Sequence, residues 1–351
     1  MSVVDSPSPR VPTGGYAELA AEIRGLGLLR PRPVYYAGLL ATILIGGVAT
    51  IGAMLLLRDS WWAILLAPVL AIVSTHLGFF GHDAGHHQIS RRRGTSRALG
   101  LLAGNLLNGL SNSWWIDKHN AHHAHPNDLD SDPDVHAGVL IFDSGQADER
   151  TGGEGWLTRN QAWLFFPLLT LEALNLHVSS VRSLLRPGSR HRTIEWVLLA
   201  VHLVAYVALL AWTLTWPQAL VFAAVHQAAF GVYLGCSFAP GHKGMPILGP
   251  EQAADPLLRQ VLTSRNVRGG PFVDVALGGL NYQIEHHLFP SMPRPNLRHA
   301  QPVVRQFCQK RSVTYTETRA RTSYALALRH LSAVGSGLRE TRRRSRDKTR
   351  A

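Results

Sequence analysis

The sequence predicts an all-α integral membrane protein in which four transmembrane helices form two hairpins, with interfacial helices between them and a cytoplasmic helical cap. Three observations lead there. Hydrophobic residues make up 46% of the 351 residues and charged ones only 17%, away from the balance of a soluble domain. Asp, Glu, Lys and Arg vanish over stretches long enough to cross a bilayer, for which about 20 apolar residues suffice. Histidine is abundant, at 18 residues, and much of it sits in three short clusters outside those stretches.

In chain order, Met1 to Gly15 is rich in Ser, Pro and Gly and lacks the apolar core of a secretory signal, so residues 1–30 read as a partly disordered N-terminal cytoplasmic segment. Charge-free stretches from Pro33 to Leu57 and from Ser60 to Gly81, separated by Arg58-Asp59, give one hairpin. Trp196 to His242 carries no Asp, Glu, Lys or Arg, and the turn-like Trp216-Pro217-Gln218 divides it into a second. Trp61, Trp62, Trp196, Trp212 and Trp216 fall near the span ends, as an aromatic belt. Two further apolar stretches, Ala98 to Ile116 and Trp163 to Leu176, contain Asn105, Asn108 and Asn112 or Pro167 and Glu172. A crossing by the first would separate two histidine clusters across the bilayer, and a crossing by the second would export the arginines from Arg182 to Arg192. Both are therefore expected as interfacial or re-entrant helices.

Orientation follows from the basic residues. Arg58 is the only one in the turn of either hairpin, whereas the segment from Gly81 to Glu195 holds Arg91, Arg92, Arg93, Lys118, Arg182 and others, which places it and both termini in the cytoplasm. Residues 336–351, with Arg342-Arg343-Arg344-Ser345-Arg346, form a basic tail. The net charge of +12 thus flanks membrane spans and argues against a nucleic-acid partner. Two cysteines, Cys236 and Cys308, are too few for a disulfide framework or a thiolate cluster.

The clusters are His82-Asp83-Ala84-Gly85-His86-His87, His119-Asn120-Ala121-His122-His123 and Gln283-Ile284-Glu285-His286-His287. Most of these residues recur at helical spacing, so each cluster can present imidazoles from one helix face. The isolated His76, His202 and His226 inside spans, and His136, His177, His191 and His299 elsewhere, read as structural. A helical rise of about 1.5 Å per residue sets His226 roughly 24 Å from the exit of its span. Seven or eight clustered imidazoles exceed one zinc site and imply two ions, for which iron, zinc and copper all suit. Neither Glu-x-x-His nor His-Glu-x-x-His occurs, which removes the soluble di-iron bundle and zinc protease patterns. A metal transporter would line its spans with carboxylates, and the second hairpin has none.

These residues resemble the membrane fatty acid desaturase superfamily, whose histidine boxes follow H-x-x-x-H, H-x-x-H-H and H/Q-x-x-H-H. The likeness runs from the first span through Pro295, and residues 31–335 are taken as the desaturase domain. Gln283 in Asn281-Tyr282-Gln283-Ile284-Glu285-His286-His287 is similar to the front-end, acyl-lipid or acyl-CoA branch, and His125-Pro126-Asn127 with the Asp-rich stretch to Asp134 is similar to its bacterial members. The resemblance implies a di-iron centre ligated by His82, His86, His119, His122, His123, His286 and His287, with His242 as the extra histidine after the last span. His87 either binds or merely follows its box. Gln283 binds through its carbonyl oxygen, bonds a water, or leaves an iron position open. Asp83 and Glu285 either orient imidazole N–H groups or face solvent. The Asp-rich loop lacks EF-hand spacing and reads as solvated or supporting.

The expected activity is O2-dependent desaturation of a fatty acyl chain, as a lipid or CoA ester. An unactivated methylene offers no acidic proton and no carbonyl to polarise, so its hydrogen needs iron and O2 rather than acid–base residues. The alternative is a histidine-box hydroxylase or monooxygenase. The His-Pro-Gly-Gly haem motif of fused cytochrome b5 domains is absent, so electrons are expected from a separate ferredoxin or similar donor with its reductase. The expected location is the bacterial cytoplasmic membrane.

Overall fold

The computed structural model describes residues 15–187 and 191–339. The expectations for residues 1–14 and for the basic run from Arg342 to Arg346 fall outside them. Helix α1 (Gly15–Gly25) precedes α2 (Pro33–Leu56), whose first-turn proline loses no intrahelical hydrogen bond. A tight 3-10 turn, Trp61–Leu65, capped by the Ser60 hydroxyl, runs into α3 (Leu66–Gly85). Helix α4 (Arg93–Gly100) continues as a π-helical turn, Leu101–Leu106, and Gly109 then turns the chain with a φ of 67°. The Ser111 hydroxyl accepts the Trp114 N–H and starts α5 (Asn112–Ala124). The apolar stretch from Ala98 to Ile116 is therefore broken, not one continuous helix.

After α6 (Ser144–Asp148), helices α7 (Gly152–Leu169) and α8 (Glu172–Leu185) meet at a bend of 82°, the geometry of a broken span or re-entrant loop. The second hairpin is α9 (Arg192–Thr213) and α10 (Trp216–His242), the latter opened by reciprocal hydrogen bonds between Thr215 and Gln218. Then come α11 (Pro250–Ala254), α12 (Pro256–Leu262), β1 (Asn266–Arg268), α13 (Pro271–Ala276), α14 (Gln283–Leu288), α15 (Arg294–Lys310), β2 (Glu317–Arg319) and α16 (Ala320–Val334). The two short strands pair in parallel, Asn266 opposite Glu317.

Four helical segments are long and apolar enough to cross a membrane: Pro33–Leu56, Trp61–Gly85, Arg192–Thr213 and Trp216–His242. Their outward residues are bare, with Ile45 68%, Val48 71% and Val204 68% exposed, an apolar surface suited to lipid. Helices α3 and α10 form the centre; α2 packs on α3, α8 on α10, and α9 on the π-helical turn. The α7/α8 bend seats against α10 at Gly231, where a Cβ would lie 2.4 Å from the Leu169 carbonyl oxygen. A separate core joins α1, α12, α14 and α15 through Leu19, Ile23, Leu257, Ile284, Leu297 and Val304. It includes Ile284 and Leu288 of the helix that carries the third histidine cluster.

Candidate metal centre

All three clusters converge where α3 and α10 end. Helix α3 ends at His82 and His86, α5 carries His119, His122 and His123, α10 ends at His242, and α14 brings Gln283, His286 and His287. The approach of α14 depends on Gly278 and Gly279, at φ of 59° and 80°. A Cβ on the first would sit 2.4 Å from the Phe79 ring, and on the second 2.5 Å from Arg294 Cγ, so only glycine makes this turn so close to α3.

The imidazoles form two groups able to hold a metal ion, His82 with His86, His119 and His286, and His122 with His242 and His287. His123 lies between them, its ring 4.6 Å from that of His86 and stacked at 4.1 Å on His287. Facing nitrogens are close: His82 Nε2 to His286 Nε2 is 3.2 Å, and His122 Nε2 to His242 Nε2 is 3.4 Å.

The protonation pattern fits a metal. Asp83 Oδ1 lies 3.1 Å from His82 Nδ1, both Asp132 oxygens lie within 3.0 Å of His122 Nδ1, the Thr263 carbonyl is 3.1 Å from His242 Nδ1, and Gln260 Oε1 is 3.0 Å from His287 Nδ1. Each acceptor fixes the proton on Nδ1, which leaves Nε2 as a lone pair turned inward. The Nε2 atoms of His86 and His287 are buried without a hydrogen-bond partner. Burial, then crowding by neighbouring imidazoles, holds His86, His119, His123, His286 and His287 well below the ordinary histidine range. They are neutral near pH 7, the form that binds a cation.

Other expected residues separate. His87 is in neither group and has a left-handed φ of 57°, which turns the chain away after His86. The Gln283 side-chain amide lies 2.8 Å from His242 Nε2, at the edge of the second group. Asp83 is buried and paired with Arg294 at 2.7 Å while it holds His82. Glu285, expected to orient an imidazole or face solvent, does neither. It is fully buried and accepts from Asn266 Nδ2 and the Tyr315 hydroxyl, each at 2.7 Å. It precedes His286 and His287 on a helix, where adjacent side chains diverge by about 100°. Burial raises its carboxyl to about 7, opposed by those two hydrogen bonds.

Sequence reasoning did not single out Asp132, Gln260, Thr263 or Arg294. The acidic loop gave a partial signal: Asp132 is buried against His122, while the half-buried Asp128 caps its own turn by accepting from the Asp130 and Ser131 N–H groups. The isolated histidines take structural roles, with His226 between Ser74 and Tyr206, His202 on the Leu106 carbonyl and His177 on the Gly109 carbonyl.

A cavity of about 310 Å³ runs past the centre. Its lining brings together His82, His119, His122, His242 and Gln283, the apolar Leu77, Gly78, Leu110, Leu234, Phe142, Phe165 and Leu169, and the polar Asn108, Ser111, Asn112, Lys118 and Lys243. An extended apolar chain laid in it would pass within reach of both histidine groups.

The fatty acid desaturase family model matches residues 59–319. The Delta(8)-fatty-acid desaturase 2 of Arabidopsis thaliana is 27% identical over 316 residues, covering 86% of this chain and 70% of the relative. The acyl-lipid (9-3)-desaturase of Physcomitrium patens is 30% identical over 294 residues, 78% of this chain and 54% of its own. The Delta(6)-fatty-acid desaturase fat-3 of Caenorhabditis elegans is 27% identical over 348 residues, 90% and 74% respectively. Three histidine boxes folded into one centre beside an apolar cavity, with these relatives, make the chain a member of the fatty acid desaturase family, an oxidoreductase of the membrane.

Proposed function

We propose that this enzyme uses O2 and two iron ions to place a double bond in an acyl chain carried as a lipid or CoA ester, toward its carboxyl end. The observation that carries the reading is the cavity, whose lining joins apolar side chains to members of both histidine groups. His82, His86, His119 and His286 would hold one ion and His122, His242 and His287 the other, with His123 between them. Bound iron supplies the O2-dependent oxidation that removes hydrogen from an unactivated methylene. The protein holds the chain extended, keeps one carbon pair beside the histidines and excludes water. Asp83, Asp132, Gln260 and the Thr263 carbonyl keep each Nδ1 protonated. Gln283 occupies the place of a ligand without an imidazole, which supports an open or water-filled position there. The relatives' names, with positions 5, 6 and 8, support the front-end assignment.

Reduction of O2 to two waters takes four electrons, two from the substrate and two from a ferredoxin or similar carrier with its reductase. The arginines of Arg91-Arg92-Arg93 and Arg182 support a site and termini facing the cytoplasm, and His125-Pro126-Asn127 with the acidic stretch to Asp134 supports a bacterial membrane. Expression in a membrane of defined fatty acids, with carrier, reductase and O2, should yield a new double bond that mass spectrometry locates. A hydroxylated product with no new unsaturation would overturn desaturation, and turnover of the purified chain on NADPH alone would overturn the separate carrier.

A further inference from the structure

The cavity also carries charge. Lys118, Asp134, Glu172 and Lys243 line it beside Phe142. The Lys118 ammonium is spent on the Asp134 carboxylate. Lys243 is different. Its Nζ donates to the Asp134 backbone carbonyl at 2.8 Å and lies 3.8 Å above the Phe142 ring, and among the described residues no carboxylate pairs with it. An ammonium has three donors, so one remains for a group in the cavity. The residue is also held from behind: the buried Arg265 guanidinium donates to the Lys243 carbonyl at 2.9 Å and to the Pro240 carbonyl at 3.0 Å, closing the end of α10.

We propose that Lys243 anchors the polar end of the acyl substrate by donating to its ester or thioester carbonyl, and so measures the double-bond position from that end. The inference rests on the acyl-chain reading above and adds the direction in which the chain lies. Asp134 supplies the ruler, since its backbone oxygen meets Lys243 at 2.8 Å while its carboxylate stands 3.6 Å from His122 Nδ1. One aspartate spans about 5 Å at most, so the ammonium is within roughly 11 Å of the His122 ring. That fixes the carbonyl at a set distance from the centre, so the reacting pair is counted from the carboxyl end. The lining at Leu77, Gly78 and Leu234 then takes the methyl end.

The first test needs no metal and no variant. Metal-free protein in detergent micelles is titrated with a fluorescent acyl probe, displaced either by a saturated acyl methyl ester or by an alkane of equal carbon count. Loss of one hydrogen bond to a charged group is worth roughly tenfold or more, so the ester should displace the probe at least that much better. Equal displacement overturns the proposal. In the second test, Lys243→Met should lose the ester preference, raise KM more than it lowers kcat, and spread the double bond over several positions, while Lys243→Arg restores one position. An unchanged position and preference in Lys243→Met overturns the anchor. Acyl-phospholipid and acyl-CoA are supplied as separate arms, because both offer the same carbonyl. If wild-type protein hydroxylates rather than desaturates, the oxidised carbon still reports the anchor, so that outcome sinks the activity and not the inference.

Discussion

Replacing Asp132 with Asn tests the architecture of the centre at one atom. Asp132 is fully buried and accepts from His122 Nδ1 through both oxygens, from the Asn127 N–H at 2.8 Å and from the Asp134 N–H at 2.9 Å. Asparagine keeps the shape but makes one of those acceptors an NH2 group facing donors. The imidazole then relaxes by moving its proton to Nε2, the nitrogen turned toward His242, and loses its lone pair there. Losing such a partner costs about 10- to 100-fold in metal affinity, or roughly 1.4–2.7 kcal/mol. Since His122 belongs with His242 and His287 and not with His82, His86, His119 and His286, only one of two binding steps should weaken. Titration of metal-free protein with Fe2+ against a chelator resolves the two steps. Equal weakening of both, or binding unchanged from wild type, would refute the reasoning.

Arg294→Met leaves the buried Asp83 carboxylate unpaired and should cost about 3–5 kcal/mol, read as a lower melting temperature in detergent, with Asp83→Asn in the same chain recovering much of it; no shift would count against a buried pair. At Gly78 a Cβ meets Leu234 at 3.6 Å and Asn108 at 3.8 Å, so Ala fits; Gly78→Leu projects into the cavity and should shorten the acyl chains accepted, checked by the product profile on mixed substrates. Burial pushes the Cys308 thiol up to about 12, so at pH 8 it should resist alkylation until the protein is denatured, as peptide mass spectrometry would show.

The spans were legible because a bilayer punishes charge over a fixed length, and Pro33–Leu56 and Arg192–Thr213 follow closely the stretches free of it. The histidines were legible because spacing on a helix survives folding. Partners that come from afar were not. Gln260 reaches His287 from 27 positions away, and Arg294 reaches Asp83 from 211, and neither residue type marks itself as a partner. Glu285 misled for a local reason: its place between box residues suggested contact with them, while the helix turned it onto Tyr315. The close seat of the α7/α8 bend depends on Gly231, which lies far along the sequence on α10.

The pairing of β1 with β2 has a consequence for how the protein comes into being. Asn266 sits on β1 and bonds both Glu285 and Tyr315, and β2 follows Tyr315 at once. A nascent chain released before Tyr315 would already carry every histidine of the centre, yet lack both the hydroxyl and the strand that hold the helix bearing His286 and His287.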